Sequence, residues 1–218
     1  MNETHTTAIK IRVLIADDHT TTRIGIRSIL KHAPDIEVVG EASDGNEVKT
    51  LVAELRPDVL LLDLIMPGLK PSEIELWVHE YYPHTETLIL TGHLRDAHLS
   101  QAISTGVSGV LTKNESPERL IEAIRRTFLG QTMFTKDQLL RASRWRAAVG
   151  DKWDTLSKRE RQVLEWMVQG LDNRTIASFL NISLNTVRSH NRCIFRKLGV
   201  NSRSEAVAFV LRHQVLDL

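Results

Sequence analysis

The chain has one cysteine in 218 residues, Cys193. A single thiol excludes an internal disulfide framework and fits a reducing cytosol. Cys193 itself reads as a small buried residue. No apolar stretch reaches the roughly 18 residues of a membrane-spanning helix, and the opening MNETHTTAIK lacks the basic-then-apolar layout of a secretory signal. Repeats and low-complexity tracts are absent as well. These absences lead us to expect a cytoplasmic protein with no membrane partner.

What is present is ordinary in bulk and uneven in distribution. Hydrophobic residues make up 42% and charged residues 25%, the proportions of a globular chain. The length suffices for one large or two ordinary domains. A formal net charge of +1 hides an asymmetry. Residues 1–130 carry 13 Lys and Arg against 19 Asp and Glu, a balance of −6. Residues 151–218 carry 11 against 7, a balance of +4, and residues 131–150 add 4 against 1. An acidic front and a basic back imply two domains with different partners.

The first half alternates two periodicities. Short apolar or β-branched runs recur as IRVLIA (11–16), IEVVGEA (36–42), VLLLDL (59–64), TLILTG (87–92) and SGVLTK (108–113). Between them apolar residues fall at helical spacing, as at Val48, Leu51, Val52 and Leu55; Ser116-Pro117 opens the last such stretch as N-cap and first helical residue. Five strands alternating with five helices predict an α/β fold, a doubly wound (βα)5 flavodoxin-like parallel sheet. Continuously apolar runs such as VLLL suit strands buried on both faces. From about residue 129 the alternation stops. We read 11–128 as one domain, 129–154 as a linker with one short helix near 136–148, and 155–218 as a small all-α domain.

In a doubly wound sheet, functional groups gather beyond the carboxyl ends of the strands. Those ends supply Asp17 and Asp18, Asp63, Thr91 and Lys113. Two like charges about 4 Å apart cost about 4 kcal/mol at an effective dielectric of 20, so either some carboxyls are protonated or a cation sits among them. The oxygen-only donor set favours Mg²⁺ over zinc. Metal, lysine and hydroxyl together suit phosphoryl transfer to a carboxylate. His19, His79, His84, His93 and His98 show no metal-ligand spacing and read as surface residues.

IADDH, LLLDLIMPG, LILTG and GVLTK, in that order, resemble the receiver domain of bacterial two-component response regulators over about residues 11–128. The resemblance implies that Asp63 is the phosphoacceptor. It implies that Asp18, Asp63 and the backbone carbonyl of Ile65 bind Mg²⁺, with Asp17 assisting through water, and that Thr91 and Lys113 hold the phosphoryl group. Two positions depart from the pattern. Val110 stands where many receivers carry Tyr or Phe, and Leu69-Lys70-Pro71-Ser72 replaces the usual Asp-Gly opening of the next helix.

The second half is helical: 157–169, 173–180, 184–198 and 202–213. Ser157 with Glu160 spells a capping box, and Asp172 and Ser183 are N-caps. The pair 173–180 and 184–198, joined by a short turn, is a helix-turn-helix. Val187, Cys193 or Ile194, and Leu198 should face inward, while Asn185, Arg188, Ser189 and Arg192 share the opposite face and are placed to read bases in a major groove. Arg196, Lys197 and Lys158 are assigned to phosphates. Trp166 and Met167 read as core.

Residues 154–210 are similar to the LuxR-type helix-turn-helix, with Thr175 where that family commonly has Glu. The whole chain thus resembles a NarL/FixJ-type response regulator. That resemblance implies a phosphorylation-dependent DNA-binding transcriptional regulator, not an enzyme, with a sensor histidine kinase and promoter DNA as partners. It also implies a homodimer formed through 203–213. Two alternatives stay open: a metal-dependent phosphohydrolase using Asp63, and a regulator that binds DNA without phosphorylation.

Overall fold

The five apolar runs form the parallel strands β1 (Ile11–Ala16), β2 (Ile36–Ala42), β3 (Val59–Leu62), β4 (Glu86–Thr91) and β5 (Gly109–Thr112), in the order β2-β1-β3-β4-β5. The structure is a computed structural model, and it describes residues 10–216. Helices α1 (Thr20–Leu30), α2 (Gly45–Leu55), α3 (Pro71–Tyr81), α4 (Asp96–Thr105) and α5 (Pro117–Phe128) complete the alternation. The doubly wound architecture expected from the sequence is the one found. Strand order reverses at β1, so the switch point lies between β1 and β3.

Alternation along the central strands explains why they are apolar over most of their length. Val13, Ile15, Val59, Leu61, Leu88 and Leu90 pack with Ile26 and Leu30 of α1 and Leu120 and Ile124 of α5. Leu14, Ala16, Leu60 and Leu62 pack on the other side with Val48 and Val52 of α2 and Ile74 and Val78 of α3. Successive side chains point to opposite faces, and both faces are covered. Ala16 is the register partner of Leu62, so β1 and β3 end level. The Asp63 amide donates to Ala16 O at 2.9 Å. The third strand stops at Leu62, which places Asp63 just beyond the sheet.

Glycines shape the loop after Asp63. Gly68 has φ +86° and Gly45, the first residue of α2, approaches the loop so closely that a Cβ would lie 2.3 Å from Leu69 O. The Gly45 amide donates to Pro67 O at 2.9 Å. Asp44 caps α2 by accepting from the amides of Asn46 and Glu47, and Ser116 caps α5 with Pro117 in the first turn.

The stretch 129–154 is largely helical: α6 (Lys136–Trp145), a π-helical turn over Arg146–Gly150, and α7 (Asp151–Asp154). Its ends belong to different cores. Met133 packs with the sheet, its amide donating to Ser108 O at 2.6 Å, and Trp153 packs with the C-terminal helices. The described residues divide into two compact units, 10–94 with Gln101–Leu139 and Arg95–Ser100 with 140–216.

The C-terminal helices are α8 (Lys158–Val168), α9 (Asn173–Phe179), α10 (Leu184–Leu198) and α11 (Arg203–His213). The capping box at Ser157 and Glu160 is complete, and Asp172 and Ser183 cap α9 and α10. Val163, Leu164, Met167, Ile176, Val187, Ile194, Leu198, Ala206 and Val210 form their core. Ile194, not Cys193, takes the inward position; Cys193 is only partly buried. Among the described residues no helix is long and apolar enough to cross a membrane.

Gly45→Ala should lower the stability of the sheet-containing unit by about 1–3 kcal/mol, because the methyl group meets backbone that cannot retreat. Gly25→Ala, a site in α1 with nothing within 4 Å of the added Cβ, should instead be neutral or stabilising by about 0.5–1 kcal/mol. Urea unfolding of the two variants checks both signs.

Candidate functional site

Level strand ends bring three carboxylates and one ammonium together. Lys113 Nζ lies 2.7 Å from Asp17 Oδ2 and 2.7 Å from Asp63 Oδ2. Asp17 and Asp63 are 2% and 4% exposed, whereas the Asp18 side chain is 31% exposed. Burial pushes the Asp63 carboxyl above the usual range and the charge on Asp17 adds to this, while Lys113 and the Ile65 amide oppose it. Burial alone would favour a neutral Lys113, but hydrogen bonds to Asp17 and Asp63 reverse the balance and raise its pKa. The lysine therefore stays charged where the carboxylates need it.

One ligand atom from each of Asp17, Asp18, His19 and Asp63 falls within a 4.8 Å cluster. Three carboxylates against one ammonium leave an excess of negative charge that a divalent cation would balance, and oxygen donors suit Mg²⁺. His19 is the residue that sequence reasoning missed. Its amide donates to Asp17 Oδ1 at 2.9 Å, and its Nδ1 lies 2.6 Å from Asp18 Oδ1. Adjacency to Asp17-Asp18 was the available signal, but a spacing test between histidines could not register it.

Thr91, fully buried, closes on its own loop. Its hydroxyl is 3.3 Å from both the amide N and the carbonyl O of His93, donating to one and accepting from the other. The Lys113 amide donates to Thr91 O at 2.8 Å, so the ends of β4 and β5 are joined. Ile65 is half exposed on the loop beyond Asp63, and Val110 is 1% exposed inside the sheet beside Ile89.

In the C-terminal unit, α10 turns Val187, Asn191, Ile194 and Leu198 inward. Asn185, Arg188, Ser189, Arg192 and Arg196 are exposed, as is Lys158 on α8. Lys197 differs from these. Its ammonium lies 2.7 Å from Glu160 Oε2 and donates to Thr155 O at 2.8 Å, so it is engaged within the domain. Three further residues tie the helices of this unit together and were not read from sequence. Asn191 Nδ2 donates to Asn173 Oδ1 at 3.0 Å, Arg203 donates to Met167 O at 3.0 Å and also to Leu171 O, and Arg159 donates to Leu180 O at the turn.

Two family descriptions match the chain: the response regulator receiver domain over residues 13–125, and the luxR family of bacterial regulatory proteins over residues 154–210. The chain is a response regulator. Its NarL/FixJ type follows from that pairing, and it combines a receiver domain with a LuxR-type helix-turn-helix DNA-binding domain in a two-component system. This response regulator is 32% identical over 207 residues to the response regulator protein VraR of Staphylococcus epidermidis, covering 95% of this chain and 99% of that protein. It is similar to RcsB from Salmonella enterica serovar Typhimurium bound to promoter rprA with the phosphomimetic BeF3⁻, with TM-score 0.60, 26% identity and coverage of 93% and 98%. A structure of two RcsB dimers bound to two parallel DNAs matches with TM-score 0.58, 26% identity and coverage of 95% and 100%.

Burial would raise the Glu160 carboxyl, but Lys197 and the amide and hydroxyl of Ser157 outweigh it and hold it below the ordinary value. A depressed carboxyl stabilises the fold above its unfolded-state pKa, and that contribution disappears as pH falls through the folded-state pKa. Lys197→Met should therefore cost about 1–3 kcal/mol at neutral pH, with the difference from wild type shrinking as pH falls through the lowered pKa of Glu160. Thermal unfolding at several pH values measures it.

Proposed function

We propose that this response regulator accepts a phosphoryl group on Asp63 from a sensor histidine kinase and, so modified, binds promoter DNA as a dimer. The observation that carries the reading is the Lys113 ammonium set 2.7 Å from both Asp17 and Asp63 at the switch point of the sheet. An Asp63 oxygen attacks phosphorus, the phosphorus–nitrogen bond of the donor phosphohistidine breaks, and the imidazole leaves with the electron pair. Lys113 faces the charge that develops on the phosphoryl oxygens. Asp17, Asp18, Asp63 and the Ile65 carbonyl would hold Mg²⁺, which supplies neutralisation of those oxygens when bound. Thr91 supplies a hydroxyl to the product dianion.

The DNA-facing set is Asn185, Arg188, Ser189 and Arg192 on α10 for base edges, with Lys158 and Arg196 for phosphates. Lys197, assigned to phosphates in the sequence, serves better as a brace between α10 and α8, given its contact with Glu160. Pairing through 203–213 is supported by Leu211, 54% exposed on α11, and by the DNA-bound dimers of RcsB. A second reading, DNA binding without phosphorylation, draws on Val110: no ring stands there to change place on activation.

Asp63→Asn should abolish labelling by a small phosphodonor in the presence of Mg²⁺; full labelling would move the acceptor elsewhere. Wild-type affinity for its own upstream DNA should rise on phosphodonor treatment, and an unchanged affinity would favour the second reading. Arg188→Ala should relax base preference and cost about 1–3 kcal/mol, whereas Lys158→Ala should weaken all sequences alike and lower the salt slope by about 1. Titrations on matched and scrambled DNA at several salt concentrations separate the two effects.

A further inference from the structure

The opposite end of the strands, where β4 begins, holds a second acidic feature that the phosphoacceptor chemistry does not use. Helix α3 buries Glu75, 5% exposed, while the adjacent Leu76 is 58% exposed. Leaving a leucine in water and placing a carboxyl inside reverses the usual preference of both side chains, and such a local violation in a packed fold marks a site under another constraint. Glu75 lines a cavity of about 140 Å³ whose wall includes His79 of α3, Glu86 and Thr87 of β4, and Thr105-Gly106. Among the described residues Glu75 Oε1 has no hydrogen-bond partner. Ser108 donates to one oxygen of Glu86, fixing that carboxylate at the wall.

An unpartnered buried acceptor costs stability unless something supplies a donor or a charge. A water needs roughly 10–15 Å³ of such space, so the cavity is ample for a small ion with part of its hydration, or for a protonated amine. The wall offers oxygen acceptors, and the second carboxylate rules out an anion. We propose that this cavity binds a small cation, held by the carboxylates of Glu75 and Glu86 with the hydroxyl of Thr87. The site stands apart from Asp63, Thr91 and Lys113, which lie beyond the other ends of the strands, and it does not depend on the phosphorylation reading.

The titratable groups facing the cavity are Glu75 and His79 from α3 and Glu86 from β4. Burial pushes the Glu75 carboxyl up to about 7; the Thr87 hydroxyl eases this and the charge on Glu86 adds to it. A raised carboxyl opposes folding as it ionises, so stability falls as pH climbs towards 7 in the absence of a cation. Proton and cation then compete for the same oxygen of Glu75.

Thermal unfolding of the full chain at pH 8 in calcium chloride, methylammonium chloride or, as the bulky control, choline chloride at matched ionic strength tests the proposal. Calcium or methylammonium should give a saturable rise in Tm beyond choline, smaller at pH 6. Glu75→Gln, which keeps the volume and the favoured neutral form, should fold as well as wild type and lose that rise. The acidic cluster at Asp63 is the same in both proteins, so its own response cancels in the comparison. A rise with calcium alone identifies a metal site, and one with methylammonium an amine site. Identical shifts in wild type and Glu75→Gln with both cations would overturn the proposal. So would amide resonances of Thr87 and Gly106 that stay fixed on titration of the wild type.

Discussion

Two buried carboxylates share one ammonium at the carboxyl end of this sheet, and the rest of the receiver's chemistry depends on that arrangement. Without Lys113, Asp17 and Asp63 would face each other at low exposure, and repulsion at such range amounts to a few kcal/mol even with generous screening. The ammonium 2.7 Å from each makes the pair tolerable. It does not make it neutral, because Asp18 adds a third carboxylate at the rim. On the proposed reading, a divalent cation would balance that residual negative charge, and cation and lysine together would make room for a phosphoryl dianion. The register that sets Ala16 level with Leu62 is the backbone origin of all this: a slip by one residue would turn Asp63 to the other face of the sheet.

The fold was legible because β3 and β4 are buried on both faces and so write themselves as nearly unbroken apolar runs. VLLL and LIL need no partner to be recognised. Convergence of Asp17, Asp63 and Lys113 was legible too, since topology alone decides which strand ends are neighbours. What the sequence concealed are pairings whose members lie far apart. Lys197 looks like any basic residue on α10; only the packing of α10 against α8 brings it to Glu160. Asn191 and Arg203 act through Asn173 and the α8 carbonyls in the same way. The stretch 129–154, poor in periodic apolar residues, hides helices whose ends serve different cores. Glu75 was hidden for another reason. Ile74, Glu75 and Leu76 are adjacent in sequence, and nothing short of the helix's rotation about its own axis tells which faces in. Trp77 bears on that rotation: it packs against Tyr82 and under the Lys49 ammonium.

The two departures from the receiver pattern have different physical weight. Leu69-Lys70-Pro71-Ser72 still starts a helix, with Pro71 at its first position where a missing amide costs nothing. The close approach of Gly45 to Leu69 anchors the same loop from α2. The loop is thus rebuilt without losing its anchor. Val110 is different, because it removes a part. A valine 1% exposed and paired within the sheet has no alternative place to occupy.

On the phosphorylation reading, the response must then begin at Thr91. Its hydroxyl now donates to the His93 carbonyl and accepts from the His93 amide, each at 3.3 Å, long for a bond donated by a hydroxyl and just beyond the usual range for one donated by an amide. Contacts that long contribute little, so turning the hydroxyl towards a phosphoryl group on Asp63 would give up little and gain a charge-assisted bond, roughly twice as strong as a neutral one. The His93 amide and carbonyl would lose their partner at the same moment. In a receiver with an aromatic ring at this position of β5, the ring and the loop can share the rearrangement. Here the loop after β4 carries it alone, and the free-energy difference between its two arrangements is the quantity that sets how strongly phosphorylation is felt beyond the sheet.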